Sequence, residues 1–243
     1  MKIDISLICG RRPVLLQRTL KSFEERVFRN FEIANCYANI DPFTGSIDDG
    51  ELCKALILEK FPNAKITMPA SPDFGKAVKT VWSAITAPVV LHLEDDWVCL
   101  EDIKSERVFP LLNERTKVVK LVCKELNWNG TDLFYERERR YKFFKIRIWT
   151  SIASVFGTSP AFFDGDVMRH CAQLMDPALD PEKQMRPPFN RPLVRYLDQF
   201  RCRLLPGTRQ PELIEDIGRD WREQRGITKT VADGKSVWTQ TAS

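Results

Sequence analysis

Three consecutive carboxylates, Glu94, Asp95 and Asp96, close the apolar run "VVLHL" at residues 89–93, and a second acidic pair, Glu215-Asp216, lies within "LIEDIGRDWREQRG" at 213–226. Adjacent carboxylates repel, and burying even one without a partner costs several kcal/mol. A triplet at the end of a buried strand therefore calls for a cation. An oxygen-rich group with little nitrogen or sulfur around it suits Mg²⁺ or Mn²⁺. Along an extended chain Glu94 and Asp96 point to one side and Asp95 to the other, so at most two of the three share one ion. An ion held by one or two carboxylates keeps open positions that a ligand's phosphates can fill. The plain alternative is a solvated acidic turn.

Pro211 and Gly226 bracket the second acidic segment, and Ile214, Ile217 and Trp221 form an apolar stripe at helical spacing. The pattern predicts a helix over 213–226. On it Glu215, Arg219 and Arg222 share a polar face and Asp216 lies about 100° around, so only one of the pair faces a given site. A carboxylate beside a hydroxyl can act as general base, and an arginine can neutralise phosphate. A charged surface helix with internal ion pairs is the competing account.

A third group is basic. Residues 136–147, "ERERRYKFFKIR", carry six basic and two acidic side chains, which accounts for the whole net charge of +4. Arg137, Arg139, Arg140, Lys142, Lys145 and Arg147 interleave with Tyr141, Phe143 and Phe144, a mixture that binds phosphate backbones and stacks bases. A solvent-facing amphipathic hairpin would read the same way.

The elements that position these groups are legible in the first hundred residues. "IDISLIC" (3–9) reads as a strand that becomes buried, followed by a helix that Pro13 can open. "FEIANCYANI" (31–40) is a second strand, closed by the turn formers of "DPFTG". "ELCKALILEKF" reads as a helix, "AKITM" as a strand, "DFGKAVKTVWSAI" as a helix and "PVVLHL" as the strand that delivers the triplet. Strands alternating with helices imply an α/β domain with a mainly parallel sheet covered on both faces. Ligands bind at the carboxyl ends of such strands, where Arg11, Asp41 and the triplet all fall. Beyond residue 100, "KVVKLVC" and "KFFKIRIW" read as strands, and "SVFGTSPAFFDGDVMRHCAQLM" as strand, turn and helix. Five of the fifteen prolines crowd into residues 176–192, which predicts a long loop.

With 243 residues, 43% of them apolar, and no visible linker or repeat, the chain reads as one domain. Its residues 1–100 form the ligand-binding half and 101–243 the half that carries the basic stretch and a flexible loop over 176–192, expected to order with ligand. The charge excess is too small to mark a general nucleic-acid or membrane binder. Seven cysteines, spread singly, read as reduced thiols, and no uncharged run reaches about 18 residues. The expectation is a soluble cytoplasmic protein. No P-loop and no hydrolase triad is visible.

The order of "CGRRPVLLQRTLKSF", a strand ending in Asp41, "FGKAVKTVWSAI", "VVLHLEDDW", "FGTSPAFF" and "EDIGRDW" resembles a GT-A glycosyltransferase of the family 2 type over residues 1–225. The resemblance implies a metal-dependent inverting transfer from a nucleotide sugar, a UDP-sugar first, to an acceptor hydroxyl. Glu94-x-Asp96 matches the D-x-D spacing, with Glu in place of the first Asp. It marks Asp96 as the leading ligand of Mn²⁺ or Mg²⁺ and Glu94 as a second ligand, while Glu94 or Asp95 could instead contact ribose or sugar. Asp41 matches the acidic residue that contacts the nucleobase, and Arg11 and Arg12 could reach base or diphosphate. Asp216 matches the catalytic Asp of the "ED" pair, with Glu215 as the other candidate and Arg219 beside the donor. "DPFTG" replaces the usual "DGS", and the Q-x-x-R-W signature is absent, with Arg219 and Trp221 a partial echo. Relatives often add a C-terminal His to the metal shell, whereas this chain has only His92 and His170. The acceptor classes are a saccharide or, given the basic stretch, a hydroxymethylated pyrimidine in DNA of the kind a phage enzyme modifies. A metal-dependent nuclease and a non-catalytic DNA- or glycan-binding module are the readings from other classes.

Overall fold

In the computed structural model residues 1–143 and 146–240 are described, apart from the side chains of 140–143, 146–148, 229, 231, 236–238 and 240. In chain order the elements are β1 (Lys2–Gly10), α1 (Pro13–Arg26), β2 (Glu32–Asp41), α2 (Ile47–Lys60), β3 (Lys65–Thr67), α3 (Phe74–Ala84), β4 (Val89–Glu94) and β5 (Trp97–Cys99). They continue with α4 (Ser105–Val108), β6 (Thr116–Leu121), β7 (Glu136–Phe143), β8 (Ile146–Ser154), β9 (Ala161–Asp164), α5 (Gly165–Leu174) and α6 (Arg191–Leu197). The last are β10 (Arg201–Leu205), β11 (Ile214–Asp216), α7 (Gly218–Glu223), β12 (Ile227–Ala232) and β13 (Lys235–Gln240).

Local chemistry explains the helix starts. Pro13 opens α1, where its missing N–H costs nothing. Ser46 and Asp49 form a reciprocal capping box on α2. Asp73 and Asp164 accept from the N–H groups of Lys76 and Val167 to cap α3 and α5.

Seven strands form one sheet in the order β10-β6-β9-β4-β1-β2-β3, with β9 antiparallel to both its neighbours and the other pairings parallel. Both faces are covered, as buried β1 requires. Ile3, Ile5 and Leu7 pack with Leu16, Leu20 and Phe23 on one face, and Ile8 and Val90 pack with Val78, Trp82 and Met168 on the other. Register sets Gly10 beside Asp41 and Ile8 beside Glu94, which brings three strand ends to one rim. All seven cysteines are free and buried. No helix among the described residues is long and apolar enough to cross a membrane.

The helix expected over 213–226 is corrected. Residues 214–216 form β11, antiparallel to β5, and only Gly218–Glu223 is helical. Leu213 is fully buried, donates its N–H to Val122 O and accepts from Leu100 N–H, so it and Ile214 are anchored by a neighbouring chain segment that helical periodicity ignores. The basic segment is the hairpin β7–β8 rather than one strand over 142–149. The proline-rich segment is a packed loop: buried Gln184 ties Asp176 to Asn190, and Lys183–Met185 forms a short 3-10 helix.

Candidate active site

Asp95 is 1% exposed, in the turn after β4 where the cleft wall forms. Its N–H donates to Ile8 O at 3.1 Å, and Thr19 Oγ1 donates to its carbonyl at 2.8 Å, which locks the turn after β4. Its carboxylate accepts from Gly10 N–H at 2.9 Å and from Arg12 Nε at 3.1 Å through Oδ2, while Arg12 Nη2 pairs with Oδ1. Such a fork-to-carboxylate pair is the strong, directional form of an ion pair. Arg12 Nη2 also reaches Asp96 Oδ2 at 3.1 Å, and Arg222 Nη1, from α7, reaches the same oxygen at 2.9 Å. The cation demanded by the acidic triplet is thus supplied within the chain. Burial pushes the Asp95 carboxyl up to about 6, against the opposing pull of Arg12.

β11 carries the second acidic pair to this place. Strand alternation buries Ile214, exposes Glu215 and turns Asp216 toward the rim. Ile217 N–H donates to Asp96 O at 2.9 Å, closing β11 onto the triplet. Asp216 Oδ1 accepts from the N–H groups of Gly218 (2.8 Å) and Arg219 (3.1 Å), and Oδ2 stands 3.6 Å from Arg222 Nη2. Burial, with help from the negative charge of Asp96, raises the Asp216 carboxyl above its ordinary range.

Beside these groups lies a cleft of about 740 Å³, walled by the ends of β1 and β4, by Asp41 at the end of β2 and Phe43 beyond it, and by Pro177–Asp180 from the proline-rich loop. Arg12, Arg222 and Lys235 are its cations. Asp41 Oδ2 accepts from Asp73 N–H at 2.8 Å, and burial raises its carboxyl although that N–H stabilises the charged form.

No family model matches the sequence, and no curated protein matches it. Solved structures match it in shape. A crystal structure of GalNAc-T7 with UDP, GalNAc and Mn²⁺ aligns over 88% of this chain and 43% of that one, with a TM-score of 0.55 and 12% identity. S. aureus TarS aligns over 92% of this chain and 38% of that one, with a TM-score of 0.53 and 11% identity. TarS 1–349 in complex with UDP-GlcNAc aligns over 84% and 56%, with a TM-score of 0.50 and 14% identity. This chain has the GT-A fold. It spans less than two thirds of the length of each of these structures.

On the GT-A rim the structure brings together Arg12, Asp41, Glu94, Asp95, Asp96 and Asp216 from the sequence-derived set. Glu94 leans on Trp97 Nε1 at 3.5 Å. Arg11 flanks Asp41 closely enough to favour its charged form but does not line the cleft, and Arg219 turns to Glu125 at 3.6 Å. Arg139 pairs with Asp198 at 2.7 Å, outside the cleft. Arg140, Lys142 and Arg147 belong to β7 and β8 with side chains outside the described residues, and Lys145 lies wholly outside them. Sequence reasoning missed the ion pairs of Arg222, the cleft-lining Lys235 and the ring of Phe43; the signal for Arg222 was its place on a polar face with Glu215 and Arg219.

The side chains do not fit a divalent ion as they stand. Both oxygens of Asp95 and the Oδ2 of Asp96 are held by guanidinium groups, and among the described residues no group of three His, Cys, Asp or Glu could hold a metal. His92 is a packed core residue: its Nδ1 accepts from Trp82 Nε1 at 3.2 Å, and burial drives its pKa down to about 3, so it stays neutral. His170 packs against Tyr196 with the rings tilted and centroids 4.1 Å apart.

Proposed function

We propose that this chain transfers a glycosyl group from a nucleotide sugar, a UDP-sugar first, to an acceptor hydroxyl with inversion. The observation that carries the reading is the convergence of β4, β11 and α7, which sets the Asp216 carboxylate beside Asp96 at the carboxyl-end rim of a GT-A sheet, next to a cleft large enough for a nucleotide. Asp41, Phe43 and Phe74 line the part of the cleft assigned to the base.

Asp216 is the general base of this reading. Its Oδ1 is tied to two backbone N–H groups, which fixes the carboxylate's direction, whereas Glu215 is exposed on the other side of the strand. The acceptor O–H proton passes to Asp216 as the acceptor oxygen bonds to the anomeric carbon. The bond from that carbon to the diphosphate breaks, and the nucleoside diphosphate leaves with the electron pair.

A saccharide hydroxyl is the first acceptor class. DNA bearing a hydroxymethylated pyrimidine is the second, favoured by a surface where Arg201 and Arg203 stand over Phe134, Arg137 over Tyr135, and Trp149 is 63% exposed. The test is nucleotide release from UDP-, GDP- and dTDP-sugars, with sugars or hydroxymethylated duplex as acceptor, by wild type and Asp216→Asn. Release from one donor, lost in the variant, supports the reading. No release from any donor, or Mg²⁺-dependent cleavage of the DNA instead, overturns it.

A further inference from the structure

The acidic cluster already holds its counter-ions. Arg12 is 6% exposed, with its guanidinium carbon 5.2 Å and 5.4 Å from the ring centroids of Phe43 and Trp221. Two guanidinium groups, Arg12 and Arg222, meet the two carboxylates Asp95 and Asp96, so the charges balance within that quartet. The backbone closes a further side: a Cβ on Gly218 would lie 2.1 Å from Asp96 Oδ2. An Mg²⁺ ion demands oxygen ligands at about 2.0–2.1 Å in near-octahedral array. An ion ligated through Asp96 Oδ2 would have to displace at least one guanidinium from a desolvated pair.

One donor in the quartet is left over. Arg12 Nη1 is buried, has no hydrogen-bond partner, and belongs to a side chain that forms the cleft wall. A buried donor without a partner is costly, and an anionic oxygen is the acceptor that relieves it best. Arg222 and Lys235 face the same space. A lysine at position 12 could not serve in this way, because only the planar fork with five N–H donors can hold two carboxylates and still offer one to a phosphate.

We infer that the Arg12–Arg222 pair takes the place of a divalent cation: Arg12 Nη1 and Arg222 donate to the diphosphate of the donor and neutralise the leaving nucleotide, so neither binding nor transfer requires a metal ion. The inference rests on the nucleotide-sugar reading above. As the anomeric C–O bond breaks, the electron pair passes to the β-phosphate oxygen, where the guanidinium donors meet it, and the acceptor's proton goes to Asp216. That charge is met by guanidinium groups held in place by Asp95 and Asp96.

The experiment is calorimetric titration of UDP, GDP and dTDP into the full chain, in EDTA after exhaustive chelation and again in Mn²⁺. Turnover of the matching nucleotide sugar is measured in both buffers. One nucleotide is expected to bind with Kd and turnover differing less than threefold between buffers, and Arg222→Gln to weaken it tenfold or more in each. Arg12→Lys is expected to do the same where it folds; the chelation comparison uses wild type and stands without it. Binding that needs Mn²⁺ by tenfold or more overturns the inference and leaves the nucleotide-sugar reading intact. No binding of any nucleotide in either buffer overturns that reading, and the inference with it.

Discussion

Asp96 and Asp216, far apart in sequence, share one guanidinium: Arg222 donates Nη1 to Asp96 at 2.9 Å and holds Nη2 3.6 Å from Asp216. If Asp216 receives the acceptor's proton, removing its basicity without its shape should separate binding from transfer. Asp216→Asn is expected to keep the nucleotide Kd within about threefold and to lower single-turnover transfer by roughly 10²–10⁴, the usual span of general-base catalysis. Glu215→Gln, altered on the exposed side of the same strand, is expected to transfer within twofold of wild type. Equal losses in the two variants would defeat the assignment of Asp216.

The pH profile follows from the same carboxylate. Its pKa is raised, first by burial and then by Asp96, so the base is protonated and inactive at pH values where an ordinary aspartate is still charged. The kcat/KM of wild type is expected to fall as pH falls, with a midpoint above the usual aspartate value of 3.8. Arg222→Gln removes the cation that favours the charged form, and should move that midpoint to still higher pH. A midpoint that stays put in the variant would detach Arg222 from the base.

How much of this site was legible differs from residue to residue. β1, β2 and β4 were readable because they are buried strands whose apolar runs end abruptly in polar residues, and a parallel sheet brings such ends to one rim. β11 was not readable. Its three residues are a strand only because Ile214 and Asp216 pair with Cys99 and Trp97, a long-range contact that local periodicity cannot report, and the buried pair Ile214 and Ile217 mimics a helical stripe. The acidic triplet correctly signalled a missing cation, but metal and arginine satisfy that demand equally well on paper. Only the path of the chain after β1 places the guanidinium of Arg12 within 3.1 Å of both Asp95 and Asp96.

Arg12 is also a stability element. Deleting one partner of a buried ion pair strands the other charges, which costs about 3–5 kcal/mol. Arg12→Ala is expected to lower the unfolding free energy by about that amount in urea titrations, and Arg12→Met combined with Asp95→Leu to recover much of it. A loss under about 1 kcal/mol in the single variant would mean that solvent replaces the guanidinium, and that Asp95 is less enclosed than its burial indicates.

The proline-rich loop, which walls the cleft at Pro177–Asp180, packs closely on α3. A Cβ on Gly75, near the start of α3, would lie 2.2 Å from Pro177 O and 2.6 Å from Leu179 O, both backbone atoms of the segment that walls the cleft. Backbone cannot swing aside as a flexible side chain does, so Gly75→Ala must push the loop away from α3. The helix itself gains from the change, since alanine is the better helix former by about 1 kcal/mol. Global stability is therefore expected to fall less than loop order does. Limited proteolysis should cut within residues 176–192 faster than in wild type, and the donor KM should rise at least fivefold with little change in kcat. Unchanged cleavage together with an unchanged KM would show that the loop packs on α3 without shaping the donor site.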